Sequence, residues 1–433
     1  MNAPETATRT DHDVAVADAV SSLIRSARLA QQHYCRLGQG AFDTAAAAVG
    51  WAIMQDDRNR QLAEMAVHDT GLGNVADKIK KNYRKTLGLL RDLQGVKTAG
   101  VISRNLQNGI TEIARPAGIV VAVTPSTNPA ATPANKIINA VKCGNAVILA
   151  PSPKGLGTSR LLLEFIHAEF TKCGVPLDLV QVAPAPITKA LTAELMRQAD
   201  LVVATGSQAN VKMAYTSGTP AFGVGAGNVA SIIDASADLA EAAKKITLSK
   251  TFDNATSCSS ENSVVVLDSV YQAMLAQLER CGAVLLNAEE KRSLQAIMWP
   301  SHKLAGLVTG KSAGTIAQIA ALPRAAAAHG GHPAMLLVEE DGFGPDHPFS
   351  GEKLSPVLAV YRARDFDHAC EIVGRIYDYM GAGHSVGLHS DDAQHAMHLG
   401  LTLPVARVIV NQAHCLATGG NFDNGLPFSL SMG

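Results

Sequence analysis

Several things are missing from this 433-residue chain, and each absence closes a class of function. Charge is balanced: 37 Lys and Arg face 38 Asp and Glu, a net of −1. No basic field therefore points to nucleic acid, and no polybasic run points to a membrane surface. No apolar stretch is long enough to span a bilayer. The N-terminal MNAPETATRTDHD is polar and has no apolar run behind it, so no secretory signal is expected. The cysteines (Cys35, Cys143, Cys173, Cys258, Cys281, Cys370 and Cys415) are odd in number, scattered, and contain no CxxC pair. That pattern indicates neither a disulfide framework nor a zinc site. The expectation is a cytoplasmic protein without metal, in a reducing compartment where a thiol nucleophile survives.

What is present reads as more than one domain, because a chain of this length exceeds a single ordinary core. The first hundred residues are helical in pattern, with apolar residues at three- and four-residue spacing in AVADAVSSLIRSARLAQQHY and NRQLAEMAVHDTG. TGLG at 70–73 reads as a helix stop and a new start, and Lys80, Lys81 and Arg84 beyond it as a solvated face. VISRNLQNGITEIARPAG reads as a hairpin turning at Asn108-Gly109. From GIVVAVTP onward strands and helices alternate: NAVILAP, LVQVAP and LVVATG are buried strands separated by helical segments, with Pro129 suited to the first turn of the helix after GIVVAVTP. This is the pattern of a parallel α/β sheet with right-handed crossovers. Such sheets bind ligands beyond the carboxyl ends of their strands, where Thr124–Asn128, Pro151–Lys154 and Thr205–Ser207 fall. A second α/β unit begins near residue 235. No internal repeat or low-complexity linker is visible.

Four stretches then line up in order: VTPSTNPAATPANK (123–136), VVATGSQANV (202–211), FGVGAGNVASIIDASADL (222–239) and TFDNATSCSSENSVVV (251–266). GEKLSPVLAVY (351–361) and GHSVGLHSDD (383–392) follow. Together they resemble the CoA-acylating branch of the aldehyde dehydrogenase superfamily, from about residue 60 to the end. The resemblance implies a Rossmann-type parallel-sheet cofactor domain over 1–234, its hairpin at 101–116 in an oligomerisation region. It implies a second α/β, catalytic domain over 235–410, and a return to the cofactor and oligomerisation region over 411–433. Relatives continue past SLSMG, so that last segment reads as cut short. A homodimer or homotetramer is expected.

The same resemblance assigns Cys258 as the nucleophile. A thiolate attacks an aldehyde to give a thiohemiacetal oxyanion, which yields hydride to a nicotinamide and leaves an acyl-thioester. Asn128 matches the side-chain amide that donates to the oxyanion, with the Cys258 backbone N–H as its companion. A helix-capping role for Asn128 ahead of Pro129 is equally compatible with the local pattern. In hydrolytic members a glutamate before a Gly-Gly pair activates water. Here VGAGNVASII puts Val224 in that place, and valine accepts no proton, so the thioester waits for a CoA thiol.

The cofactor residues implied are Thr124, Pro125, Ser126, Ser152, Lys154, Gly206, Ser207, Gly225, Glu352 and Pro356. Glu352 stands four residues before Pro356, as does the family glutamate that holds the nicotinamide ribose. Ala150-Pro151-Ser152-Pro153 lacks the acid that would repel a 2′-phosphate, while Lys154 and Arg160 lie close by. NADP is preferred, and NAD remains open. Around the nucleophile, Thr256, Ser257, Ser259 and Ser260 form a hydroxyl-rich wall suited to a short aldehyde with a strongly solvated head. Through STNPAATPANK and TFDNATSCSSEN, the resemblance implies sulfoacetaldehyde as the aldehyde. Thr256, Ser257, Ser259, His384 and His414 are the pocket candidates, and Arg407 is a further candidate cation for a sulfonate. Acetaldehyde and succinate semialdehyde are the alternative substrates, and an inactive assembly partner is the alternative of another class.

Overall fold

Valine, isoleucine and alanine dominate the two large sheets because every one of their central strands is covered on both faces. The computed structural model of the chain describes residues 11–431; the polar stretch 1–10 lies outside them. Contacts divide the chain into two units, one holding the residues up to Thr70 together with Ile79–Gly225, the other Gly71–Lys78 together with Ala226 onward.

In the first unit, helices α1 (Asp11–Cys35), α2 (Gln39–Met54) and α3 (Asp56–Thr70) precede α4 (Val75–Leu93). Hairpin strands β1 (Gly100–Asn105) and β2 (Ile110–Ala114) pair antiparallel, Asn105 facing Ile110 across a four-residue loop rather than a two-residue turn. The parallel sheet then runs β3 (Ile119–Thr124), β4 (Ala146–Pro151), β5 (Val180–Val182), β6 (Leu201–Thr205) and β7 (Ala221–Val224). Its spatial order is β5-β4-β3-β6-β7, all parallel. Every residue of β3 and β4 is buried, which is why they occupy the centre. Helices α5 (Ala131–Lys142), α6 (Leu156–Cys173), α7 (Lys189–Gln198) and α8 (Gln208–Tyr215) alternate with these strands. Pro129 falls just ahead of α5 instead of inside its first turn.

The second unit carries a seven-stranded parallel sheet. Its strands are β8 (Val229–Ile233), β9 (Glu261–Leu267), β10 (Ala283–Leu285), β11 (Met335–Glu339), β12 (Val357–Ala363), β13 (Ser385–His389) and β14 (Arg407–Val410), in the order β10-β11-β12-β9-β8-β13-β14. Helix α9 (Leu239–Thr251) joins β8 to the approach of β9. The period of two is visible in β9: Val265 and Leu267 pack into one apolar layer, Val264 and Val266 into the other. No helix among the described residues is long and apolar enough to cross a membrane.

One helix departs from its expected amphipathicity. Helix α4 exposes Tyr83 and Leu87 but buries Lys78, Lys81 and Lys85, which share a face at three- and four-residue spacing. Lys80 is exposed as expected, whereas Lys81 is only 6% exposed. The solvated face read from the sequence is therefore corrected: burial of an ammonium requires a partner, and these side chains have them.

Candidate active site

In the first unit the named residues gather at the carboxyl ends of β3, β4 and β6. Thr124 closes β3, and its carbonyl accepts from the Ser152 N–H at 2.9 Å, tying together the ends of β3 and β4. The Thr124 and Thr205 hydroxyls are buried there without a protein partner. Pro125, Ser126 and Asn128 follow, all half-buried. Asn128 does not cap α5 with its side chain; its Oδ1 accepts instead from Lys81 Nζ at 2.7 Å. A lysine only donates, so this bond fixes which end of the amide is oxygen and leaves the NH₂ directed away from Lys81. Ser207 caps α8, its Oγ accepting from the Asn210 N–H at 3.3 Å. The preceding Gly206 donates its N–H to the Val224 carbonyl at 3.1 Å. Val224 itself is buried at the end of β7, and a Cβ on Gly225 would meet the movable end of the exposed Gln208 side chain at 2.7 Å. Lys154 and Arg160 are both exposed.

In the second unit the named residues collect at the amino ends of the four adjacent strands β12, β9, β8 and β13. The expectation of carboxyl-end sites thus describes the first sheet and not the second. Helix α9 ends at Thr251, and the chain then passes through three consecutive left-handed residues, Asp253, Asn254 and Ala255, at φ 51°, 52° and 57°. A residue with a Cβ spends roughly 1–2 kcal/mol in that region, Asn and Asp somewhat less. Asp253 is fully buried and heavily bonded. Its carboxylate accepts from the Asn74 N–H at 3.0 Å, Lys78 Nζ at 3.1 Å and Thr256 Oγ1 at 2.7 Å. Its own N–H donates to Asp77 Oδ2 at 2.9 Å. A tight turn follows, the Ser260 N–H reaching the Ser257 carbonyl at 3.0 Å, and half-buried Cys258 sits in it just before β9.

Gly227, at the amino end of β8, explains a close approach. A Cβ there would lie 2.2 Å from the Cys258 carbonyl oxygen and 3.0 Å from His384 Cδ2. The His384 ring and the Cys258 carbonyl therefore both border the space that a side chain at Gly227 would fill. Its Nδ1 meets Ser385 Oγ at 2.7 Å, Ser385 Oγ meets His414 Nε2 at 2.9 Å, and His384 Nε2 has no protein partner. Burial, helped by the charge of Arg407, lowers His384 to about 4, so its imidazole is neutral at pH 7. His414 is buried too, and burial holds it well below the usual histidine range.

Buried charge surrounds this group. Burial pushes Glu261 up to about 7, against hydrogen bonds from Ser249 and the His414 N–H. Burial likewise lowers Lys250 to about 7 against the pull of Glu261 and Glu352. Glu352 is raised to about 8, again by burial, while the Gly227 N–H and two lysines favour its ionised form. Lys353 Nζ donates to the Phe349 and Gly351 carbonyls at 2.5 and 2.9 Å.

The hydroxyl wall narrows in the structure. Thr256 and Ser259 are buried, the first bonded to Asp253 and the second placed 2.9 Å from Ser257 Oγ. Ser257 is the half-exposed hydroxyl beside Cys258. His414 is enclosed, its Nε2 bonded to Ser385 and its Nδ1 buried without a protein partner. Sequence reasoning missed Lys81 and Asp253. Their signal was a run of lysines on a single helical face that a solvated helix does not require. One further cluster, Glu340, Asp341 and His347, could bring three ligating atoms together. There Glu340 already accepts from His347 at 2.9 Å and from Lys291 at 3.1 Å, so the cluster reads as an ion-pair network of its loop.

Comparison with known proteins adds to this geometry. A family model described as "Aldehyde dehydrogenase family" matches residues 8–289. The chain is 69% identical over 419 residues to a sulfoacetaldehyde dehydrogenase (acylating) of Cupriavidus necator, covering 97% of this chain and 84% of that protein. It is 39% identical over 421 residues to a sulfoacetaldehyde dehydrogenase (acylating) of Bilophila wadsworthia, covering 96% and 89% respectively. Among solved structures, an acetylating aldehyde dehydrogenase from Geobacillus thermoglucosidasius superposes with a TM-score of 0.88 at 34% identity, covering 94% of this chain and 89% of that one.

Proposed function

We propose, from the premise that the chain belongs to the aldehyde dehydrogenase family, that it oxidises sulfoacetaldehyde with CoA and NADP to sulfoacetyl-CoA. The observation that carries the acylating chemistry is the pairing of a nucleophile turn with a valine. Cys258 stands half-buried beside a neutral imidazole, while buried Val224 occupies the position from which hydrolytic relatives activate water. The likeness to the Cupriavidus necator protein supports the choice of aldehyde.

In this reading the Cys258 thiolate adds to the aldehyde carbon. The resulting oxyanion is assigned two donors, the Cys258 N–H and the Asn128 amide, whose orientation Lys81 sets. Nicotinamide, when bound, would supply the hydride acceptor, and loss of hydride from the oxyanion would leave a thioester on Cys258. The partnerless Thr124 and Thr205 hydroxyls at the strand ends suit a polar cofactor, with Gly206, Ser207 and Ser152 beside them. Glu352 is assigned to the ribose. Lys154 and Arg160 are exposed cations without a competing acid in the matching run, which favours the 2′-phosphate of NADP over NAD. The CoA thiol then gives its proton to His384 Nε2 and attacks the thioester, and acyl-CoA leaves as the Cys258 thiolate re-forms. Ser257 and Arg407 are the side chains nearest in character to what a sulfonate needs, a half-exposed hydroxyl and a cation with a partnerless Nη1.

Assembly is part of the proposal. The hairpin β1–β2 exposes Val101, Ile102, Ile110 and Ile113, with Leu106 at its tip 92% exposed. An apolar ribbon with open edges is a poor surface for a monomer, and we assign it to contacts between copies in a homodimer or homotetramer.

The test is nicotinamide reduction with sulfoacetaldehyde, with and without CoA, NADP and NAD compared, and acetaldehyde and succinate semialdehyde in parallel. Sustained turnover is expected only with sulfoacetaldehyde and CoA together. Cys258→Ala should lower it on the order of 10⁴-fold or more. Steady turnover without CoA would overturn the acylating reading, and preference for another aldehyde would overturn the substrate.

A further inference from the structure

The TGLG stretch does more than end one helix and start another. Gly73 lies at φ +73°, and a Cβ on it would stand 1.9 Å from Asp253 Oδ1. A helix stop explains the dihedral but not the contact. The segment that follows is built around the same carboxylate. The Asn74 N–H and Lys78 Nζ both donate to Asp253, while Asp77 accepts the Asp253 N–H. Asn74 and Asp77 are locked together in turn, by Asn74 Nδ2 to Asp77 Oδ2 at 2.8 Å and the Asp77 N–H to Asn74 Oδ1 at 2.9 Å. The Gly310 carbonyl completes the socket, accepting from both the Gly73 N–H and Asn254 Nδ2 at 3.0 Å.

We infer that Asp253 is a positioning residue for Cys258, and that Gly71–Lys78 is the socket that holds it. The inference rests on the reading of Cys258 as the nucleophile. Three successive left-handed residues with side chains persist only where surroundings over-determine them. The carboxylate of the first is bonded on both oxygens, and the third, Ala255, has no polar side chain with which to hold itself. Thr256, two residues before Cys258, is tied to the same carboxylate. The socket therefore decides the direction from which the chain enters the turn that presents the thiol. Asp253 is no general base, because it is fully buried and its two oxygens are already occupied by three donors.

A misplacement of about 1 Å at a nucleophile can cost on the order of 10²-fold. Asp253→Asn keeps the shape and presents an NH₂ where the socket offers donors. We expect it to slow the single-turnover burst of nicotinamide reduction on the order of 10²-fold with the KM for NADP unmoved. The second readout needs no substrate: the iodoacetamide rate at Cys258, followed by peptide mapping over a range of pH, should change while that of exposed Cys173 does not. Placing Asp253→Asn on an Ala255→Gly background relaxes the turn that the socket must hold, and there the loss should shrink about tenfold. If Asp253→Asn does not fold, Thr256→Val withdraws one bond only and should still slow the burst about threefold to tenfold. An unchanged burst and unchanged Cys258 alkylation, with only a lower melting temperature, would overturn the inference. A wild-type protein without any burst, whose Cys258 alkylation still responds to Asp253→Asn, would instead overturn the proposed function and leave the positioning role standing.

Discussion

The amino ends of the second unit's strands and the carboxyl ends of the first unit's strands are built by opposite means. At β3, β4 and β6 the chain is close to ordinary: a strand stops, a serine caps a helix, and small residues expose backbone amides. The buried charges near there are lysines, Lys81 on Asn128 and Lys136 in α5. At β9, β8, β12 and β13 the backbone passes through three left-handed residues, and Lys250, Glu261 and Lys353 lie buried, with half-buried Glu352, beside two buried histidines. The difference follows from what each place is assigned to do. A diphosphate-bearing cofactor brings its own charge, and aligned backbone groups suffice to receive it. A thiol nucleophile must be held at one angle near a base that stays neutral, which takes strain and desolvation.

Lys81 is where this contrast is easiest to break, since it is a buried charge in the quieter unit. Lys81→Met keeps the stem and removes the donor that orients Asn128. If one oxyanion donor is worth on the order of 10²–10³ in rate, a misoriented amide should cost about 10–10²-fold in kcat. The KM for NADP should not move, and Lys81→Arg, which retains a donor, should recover part of the loss. Steady-state kinetics of the three proteins decide it. A change confined to KM would mean that the Lys81–Asn128 bond serves binding or packing instead.

Much of the first unit was legible in the sequence. GIVVAVTP, NAVILAP and LVVATG are apolar runs too short for helices and bounded by Pro or Gly; each is a strand in the structure, the first two fully buried and the third alternating between buried and half-buried residues. The second unit's pattern also showed, but not its use of the amino ends of strands, because periodicity carries no information about which end of a sheet is open. The socket was hidden for a different reason. Charge on a helix ordinarily marks the face turned to water, and nothing local reveals that Lys78 has an aspartate partner 175 residues away. Likewise ATSCSS looks like a polar wall because the alphabet shows hydroxyls and not the bonds they have already made.

His384 offers a several-fold effect that separates the two environments by pH alone. In an ordinary setting, with a pKa near 6.5, a histidine is roughly three quarters protonated at pH 6. Burial lowers His384 to about 4, which leaves about 1% protonated at that pH. Its imidazole thus stays neutral at all pH values above its folded pKa and becomes charged as pH falls through about 4, and the same shift makes it a weaker base than a solvated histidine. The CoA-dependent step, measured as transfer from pre-formed acyl-enzyme, should change less than twofold between pH 7 and pH 6. A fall of about threefold over that interval, that of a group with a pKa near 6.5, would place the base in water, contrary to its 4% exposure.

The smallest expected effect concerns stability and sets two residues of the same turn against each other. Ala255 sits at φ 57°, a conformation that glycine reaches without steric cost. Replacing it by glycine removes that penalty but loosens the unfolded chain, and the first term is the larger where φ is positive. Ala255→Gly should therefore stabilise the protein by about 0.5–1 kcal/mol, a rise of about 0.5–1 °C in melting temperature for a chain of this size. Gly73 has a similar dihedral and the opposite surroundings, for its missing Cβ is where Asp253 Oδ1 lies. Gly73→Ala should cost more than Ala255→Gly gains, because both the backbone and a buried carboxylate must move. Calorimetry on the two variants tests the pair together. Equal and opposite shifts would mean that dihedral preference alone governs both sites; a larger loss at Gly73 would mean that the fit around Asp253 governs the turn.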